Sequence, residues 1–150
     1  MQLRPYQQAA VDAVYEHLRS KETNPCVVIP CGCGKSLVLA QIAKDTVEKW
    51  NGRVLLLAHV KELLEQNADK IRKLCPELKI GIYSAGLRSR DTTEQVIVAG
   101  IQSVYNKACE LDAFDLVIVD ECFPAGTLID TPRGQIPIED LYVGQPVRHA

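Results

Sequence analysis

Two short polar stretches carry the residue types that bind and cleave phosphate groups. The first is the loop Pro-Cys-Gly-Cys-Gly-Lys-Ser at residues 30–36, which follows an apolar run and precedes a helical pattern. Glycines let backbone N–H groups turn inward around phosphates, a lysine neutralises their charge, and a serine hydroxyl can reach Mg²⁺. The residues that would do this are Gly32, Gly34, Lys35 and Ser36. Because Ile29 stands where the common GxxxxGKS pattern has glycine, a plain glycine turn is the alternative for this stretch alone.

The second stretch is Leu-Val-Ile-Val-Asp-Glu at residues 116–121, an apolar run that ends in two acids. Ligands of parallel α/β sheets bind at the carboxyl ends of the strands, which is where Asp120 and Glu121 would lie. Asp120 could hold Mg²⁺, and Glu121 could position or deprotonate an attacking water. Taken together, the two stretches predict a nucleoside triphosphate hydrolase that uses ATP and Mg²⁺.

The elements needed to position these residues alternate along the chain. Apolar runs predict strands at 26–29, 54–58, 80–83, 96–99 and 116–119. Helical spacing predicts helices at 4–19, through Leu39 to about Asn51, and at 63–74, with a short helix from Gln102. Strands separated by helices at this rhythm indicate an α/β fold with a parallel sheet and helices on both faces.

Composition narrows the class of protein further. The formal net charge of −2 excludes a strongly basic nucleic-acid binder. No apolar run approaches the roughly 20 residues of a membrane span, so we expect no membrane partner and a cytoplasmic location. The six cysteines include no CxxC pair, which favours free thiols over a disulfide set or a metal site.

Residues 1–121 resemble the superfamily 2 helicases and translocases of the DEAD/DEAH-box type, in the first RecA-like domain. Leu-Arg-Pro-Tyr-Gln at residues 3–7 is similar to the opening segment of that family, and loop 30–36 is similar to its PTGxGKS loop, with Cys31 where threonine is common. The resemblance implies that Gln7 reads the adenine edge with help from Arg4. It implies catalytic roles for Lys35 and Glu121, Mg²⁺ contacts from Ser36 and Asp120, and nucleotide binding by Arg4, Gln7, Cys31, Gly32, Cys33, Gly34, Lys35 and Ser36.

Two further segments are similar to the family's nucleic-acid segments. These are residues 55–66 and 98–104. The resemblance implies that a strand of DNA or RNA, with DNA favoured, passes near His59, Lys61, Gln102 and Ser103. For each of these four, an ordinary solvated surface residue is the alternative.

The alternation of strands and helices stops at Cys122. Residues 126–138 predict a β-hairpin with a turn at 131–134. The segment from Cys122 to Val147 resembles the N-terminal block of an intein, which implies that the Cys122 thiolate attacks the carbonyl of Glu121. This divides the chain into a helicase domain, 1–121, and an intein segment, 122–150.

Two hypotheses follow for the whole chain. In the first, the chain is a protein-splicing precursor that needs a C-terminal intein and helicase fragment, in cis or in trans. Since Glu121 belongs to both chemistries, splicing would then precede helicase function. In the alternative, the chain is a plain superfamily 2 ATPase domain with an atypical β insertion and no splicing.

Overall fold

A computed structural model describes residues 3–30, 32–59, 61–105, 107–120, 127–132, 134–137 and 140. The chain divides into two compact units, Met1–Asp120 and Glu121–Ala150. Among the described residues, no helix is long and apolar enough to cross a membrane.

The first unit contains four helices and five strands within the described residues. The helices are α1 (Pro5–Ser20), α2 (Lys35–Trp50), α3 (Lys61–Leu74) and α4 (Ile101–Val104). The strands are β1 (Val54–Ala58), β2 (Ile80–Ser84), β3 (Ser89–Arg90), β4 (Val96–Gly100) and β5 (Leu116–Val119). A single 3₁₀ turn, Ala108–Glu110, lies between α4 and β5.

The five strands form one sheet in the order β3-β2-β4-β1-β5. β1 pairs in parallel with both β4 and β5, and β2 pairs in parallel with β4. Only the two-residue β3 is antiparallel among these strands, where it pairs with β2 at one edge. The prediction of an α/β fold with a mostly parallel sheet is therefore confirmed.

Both faces of the central strands are buried, because alternate residues of β1 and β4 enter different cores. On one face, Leu56 and Val98 pack with α3 residues such as Ile71. On the other face, Leu55 and Ile97 pack with a different set of residues, which includes Tyr83 and Leu111. This arrangement explains why these strands are almost wholly apolar in sequence.

A third apolar cluster joins α1 to α2. Val11 and Val14 of α1 pack against Val38 and Ile42 of α2, with Ile118 of β5 beside them. The next residue of β5, Val119, points away from this cluster and is 45% exposed. The N-terminal helix is therefore held on the helix that begins with the phosphate loop.

The predicted buried strand at 26–29 is wrong. These residues form no strand, and Val27 and Val28 are 41% and 81% exposed. Ile29 is half-buried in the cluster between α1 and α2. A strand exists only where a neighbouring strand completes its hydrogen bonds, and an apolar run of four residues does not specify such a neighbour.

The second unit contains a β-hairpin, as predicted. Strand β6 (Leu128–Thr131) pairs antiparallel with β7 (Gly134–Pro137). The hydroxyl of Thr131 donates a hydrogen bond of 2.7 Å to the carbonyl oxygen of Gly134, which closes the turn. Gly134 has φ +114°, a value that favours glycine.

Candidate nucleotide-binding site

The phosphate loop ends in a helix N-terminus. Gly32 and Gly34 have φ values of +76° and +79°, and Gly34 is the N-cap of α2. The N–H of Cys33 donates to the carbonyl oxygen of Pro30 at 3.1 Å, which makes the tight turn before the helix. The first N–H groups of a helix lack partners within the helix, and the helix dipole favours an anion there. The loop is thus arranged to receive a phosphate group.

Lys35 and Asp120 meet at this end of the sheet. The Lys35 ammonium lies 2.7 Å from Oδ1 of Asp120, and the Asp120 side chain is only 4% exposed. The N–H of Asp120 donates to the carbonyl oxygen of Leu57 at 2.9 Å, which fixes the residue just after β5 to the neighbouring strand. The two stretches that the sequence singled out therefore converge on one point.

The carboxylate of Asp120 is suited to a divalent cation. Its Oδ2 accepts a hydrogen bond of 2.6 Å from the side-chain amide of Asn67. Its Oδ1 lies 2.7 Å from the Lys35 ammonium, which balances the charge of the carboxylate. Hard cations such as Mg²⁺ take carboxylate and hydroxyl oxygens, and Ser36 lies next to Lys35 at the start of α2. These residues fit a magnesium site.

Gln7 lies against the phosphate loop. Its side chain is nearly fully buried and its Nε2 donates to the carbonyl oxygen of Cys33 at 3.1 Å, while its Oε1 accepts from the N–H of Arg4 at 2.9 Å. The hydroxyl of Tyr6 donates to the same carbonyl oxygen of Cys33 at 2.8 Å. Thus the opening segment supports the loop from one side. The predicted adenine contacts of Gln7 and Arg4 stay predictions.

The four predicted nucleic-acid residues lie after β1 and β4, at the same edge of the sheet as Asp120. His59 follows β1 and is exposed, and Lys61 begins α3. Gln102 and Ser103 lie on α4, which starts directly after β4. Since β1, β4 and β5 are parallel, their carboxyl ends share one edge. The Ser103 hydroxyl accepts a hydrogen bond of 3.0 Å from the N–H of Ala85.

Three predicted site residues lie outside the described residues: Cys31, Glu121 and Cys122. Among the described residues, no group of three or more His, Cys, Asp or Glu side chains is placed to hold a metal ion. Cys33, Cys75 and Cys109 are free thiols.

Sequence reasoning missed two residues that contact the site, Asn67 and Tyr6. Asn67 stands on the buried stripe of α3, among Leu64, Ala68 and Ile71. A polar residue at an apolar position of a helix is a signal that could have found it, because a buried amide needs a partner. Tyr6 carries no comparable signal, since an exposed tyrosine in the first turn of a helix is ordinary.

A glycine loop at the start of a helix, with its lysine against an acid that ends a neighbouring parallel strand, defines a P-loop nucleotide-binding domain of the α/β class. Residues 1–127 match the family described as "Type III restriction enzyme, res subunit". The chain belongs to this family, and its first domain is of the superfamily 2 helicase ATPase type.

Two curated proteins are similar to this chain. One is IRC3 of Saccharomyces cerevisiae, named as a candidate ATP-dependent helicase; it is 28% identical over 131 residues, which cover 79% of this chain and 18% of IRC3. The other is the ATP-dependent RNA helicase DHX58 of Mus musculus, 29% identical over 140 residues, which cover 81% of this chain and 20% of DHX58. The chain thus spans about a fifth of the length of these relatives.

One solved structure shares the fold. It is a nuclease-deletion mutant of the type ISP restriction-modification enzyme LlaGI in complex with a DNA substrate mimic. The TM-score is 0.64 at 20% identity, and the match covers 81% of this chain and 15% of LlaGI. The family match and the two curated relatives support the helicase-type hypothesis. They lend no support to splicing, and the family match extends past Cys122 to residue 127.

Proposed function

We propose that this chain is the ATP-binding domain of a superfamily 2 helicase or translocase that uses Mg²⁺·ATP. This is the second of the two hypotheses above, the one without splicing. The observation that carries this proposal is the 2.7 Å contact between Lys35 of the phosphate loop and Asp120. It joins the phosphate-binding and acidic stretches at one edge of a parallel sheet, where ligands of this fold class bind.

The roles of the residues follow from their placement. The N–H groups at the start of α2 and the Lys35 ammonium would bind the phosphates. Ser36 and Asp120 would hold Mg²⁺, which supplies charge neutralisation at the phosphates when bound. When ATP binds, Lys35 would leave Asp120 and contact a phosphate oxygen. Before ATP binds, the ion pair between Lys35 and Asp120 compensates both charges. Glu121 follows Asp120 directly and would orient the attacking water.

We propose a nucleic-acid strand, with DNA favoured over RNA, as the partner. One support is that His59, Lys61, Gln102 and Ser103 follow strands that end at the same edge of the sheet. Another is that similar proteins include an RNA helicase and an enzyme in complex with a DNA substrate mimic. With a net charge of −2, contact would depend on these local groups and on the start of α3. A cytoplasmic location remains a prediction.

Substitution of Lys35 tests the proposal. Lys35→Ala should weaken binding of a fluorescent ATP analogue by about 10- to 100-fold, because hydrogen bonds to charged groups contribute about 1.5–3 kcal/mol. Lys44→Ala is the matched control. Lys44 lies on the same helix but forms ion pairs with Glu48 and Glu77 at the surface, where such pairs contribute little. Equal affinity of the parent and the Lys35→Ala chain would contradict the proposal.

A rival proposal, which would replace the plain ATPase domain, concerns Cys122. We infer from the resemblance of residues 122–147 to an intein block that the Glu121–Cys122 bond is a splice junction. Support comes from the division of the chain at Asp120 and Glu121 and from the separate antiparallel hairpin β6–β7. In the reaction, the Cys122 thiolate would attack the Glu121 carbonyl, so a C–S thioester bond replaces the amide and frees the Cys122 amino group.

A further inference from the structure

Asn67 makes a buried contact that the proposed roles of the phosphate loop and the acids do not require. It lies on α3, its side chain is buried, and its amide Nδ2 donates to Oδ2 of Asp120 at 2.6 Å. The opposite oxygen, Oδ1, faces the Lys35 ammonium at 2.7 Å. The carboxylate is thus held between an amide on one side and a cation on the other.

The position of Asn67 would otherwise suit an apolar residue. Leu64, Ala68 and Ile71 of the same helix are buried in the core between α3 and the sheet. Burying an amide without a partner is unfavourable, so the hydrogen bond to Asp120 is what makes asparagine acceptable there. Because the same face of α3 is packed in the core, the amide has a fixed place relative to the end of β5.

We propose that Asn67 is a positioning residue for the magnesium site. By occupying Oδ2 of Asp120, it fixes the orientation of the carboxylate, whose Oδ1 faces Lys35. Groups that hydrogen-bond a metal-binding carboxylate orient it, and their removal commonly weakens metal binding by about 10- to 100-fold. This role rests on the proposed Mg²⁺·ATP site.

The experiment compares nucleotide binding with and without metal. Binding of a fluorescent ATP analogue is titrated over Mg²⁺ concentration, and separately in EDTA, for the parent chain and for Asn67→Leu. This substitution removes the donor but keeps the branched shape of the side chain. Asn67→Ser is a second variant. Its smaller side chain fits the site, so it serves if leucine prevents folding. Circular dichroism establishes that each variant is folded.

Ile71→Val is the matched control. Ile71 lies one turn further along α3, is 1% exposed, and packs in the same core, so the substitution perturbs the helix without removing a polar contact. We expect the Asn67 variants to need about 10- to 100-fold more Mg²⁺ for half-maximal nucleotide binding, with little change in EDTA. The control should follow the parent chain in both conditions.

The outcomes separate the two claims. If the parent chain binds nucleotide with the help of Mg²⁺ but a folded Asn67 variant shows the same Mg²⁺ dependence, the role of Asn67 is overturned and the proposed function stands. A parallel loss of affinity in Mg²⁺ and in EDTA also overturns it, because that pattern means general damage to the loop. A parent chain that binds no nucleotide overturns the proposed function itself.

Discussion

Gln7 and Gly34 form a close contact between the N-terminal segment and the phosphate loop. Gly34 has φ +79°, which L side chains rarely adopt, and a Cβ placed there would overlap Nε2 of Gln7. The same Nε2 donates to the carbonyl oxygen of Cys33. The absence of a side chain at position 34 therefore serves both the loop conformation and the approach of the glutamine.

Substitution of the two loop glycines separates these effects. Gly32→Ala should lower the free energy of unfolding by about 1–2 kcal/mol through backbone strain alone, since a Cβ at Gly32 meets nothing within 4 Å. Gly34→Ala should lower it further because of the overlap with Gln7. Urea denaturation measures both values. In a Gln7→Ala background, Gly34→Ala should lower stability less; an identical loss in both backgrounds would show that the overlap has no energetic effect.

The packing of α1 on α2 depends on one polar contact as well as on apolar residues. The hydroxyl of Tyr15 on α1 donates to Oδ2 of the buried Asp45 on α2 at 2.8 Å, and its ring meets Trp50 edge-on at 5.3 Å between centroids. Burial, followed by the hydrogen bond to Asp45, raises the pKa of Tyr15 above its usual value. Since α2 begins at the phosphate loop, this contact also holds the helix on which the site is built.

The raised pKa of Tyr15 predicts a loss of stability in alkali. The unfolded tyrosine ionises near pH 10 while the folded one stays protonated, so its contribution is complete below about pH 10 and is lost as the pH rises above it. Tyr15→Phe should lower the free energy of unfolding at pH 8 by about 1 kcal/mol and should weaken its further fall between pH 9 and pH 11. Urea denaturation across this range measures both effects.

Tyr105→Phe is the control for this measurement, because Tyr105 is 81% exposed. It should reproduce the pH dependence of the parent chain. If Tyr15→Phe falls as steeply in alkali as the parent chain does, the contact with Asp45 does not govern the pH dependence.

The whole chain contains two units, and the boundary between them lies where the two proposed chemistries meet. The first unit ends at Asp120, the proposed magnesium ligand, and the second begins with Glu121 and Cys122. If the Glu121–Cys122 bond is a splice junction, Glu121 both orients the water and provides the acyl group that is transferred to the Cys122 thiol. Helicase function would then require that splicing come first.

Splicing predicts a change of mass that depends on one thiol. When the chain is expressed with its C-terminal partner, in cis or in trans, mass spectrometry should find a ligated product that lacks the segment beginning at Cys122. Cys122→Ala should abolish this product, because no thioester can form. Cys109→Ala, which alters an exposed free thiol of the first unit, should not affect it. An unspliced chain and no ligated product in the parent, as in Cys122→Ala, would leave the plain ATPase domain as the sole account.

The fold class and the core of the site could be predicted from the sequence because both depend on local patterns. Apolar strands buried on two faces and helices with one apolar stripe leave a periodicity that neighbouring residues record. The phosphate loop is a contiguous segment, and Asp120 follows its strand directly. The sequence could predict that Lys35 and Asp120 act together because a phosphate loop and an acid after an apolar strand are the two motifs of one nucleotide site.

Only the tertiary structure decided the features that need two distant segments. It showed that Val27 and Val28 pair with no strand among the described residues, although their apolar character suits one. It placed Gln7 against Gly34, and Asn67 against Asp120. An asparagine on the apolar stripe of α3 signals that a partner exists, but the identity of that partner, Asp120, depends on strand order and helix packing, which the local sequence does not specify. For this chain, the sequence determined which residues could carry chemistry, and the packing of α3 and β5 determined how the carboxylate is held.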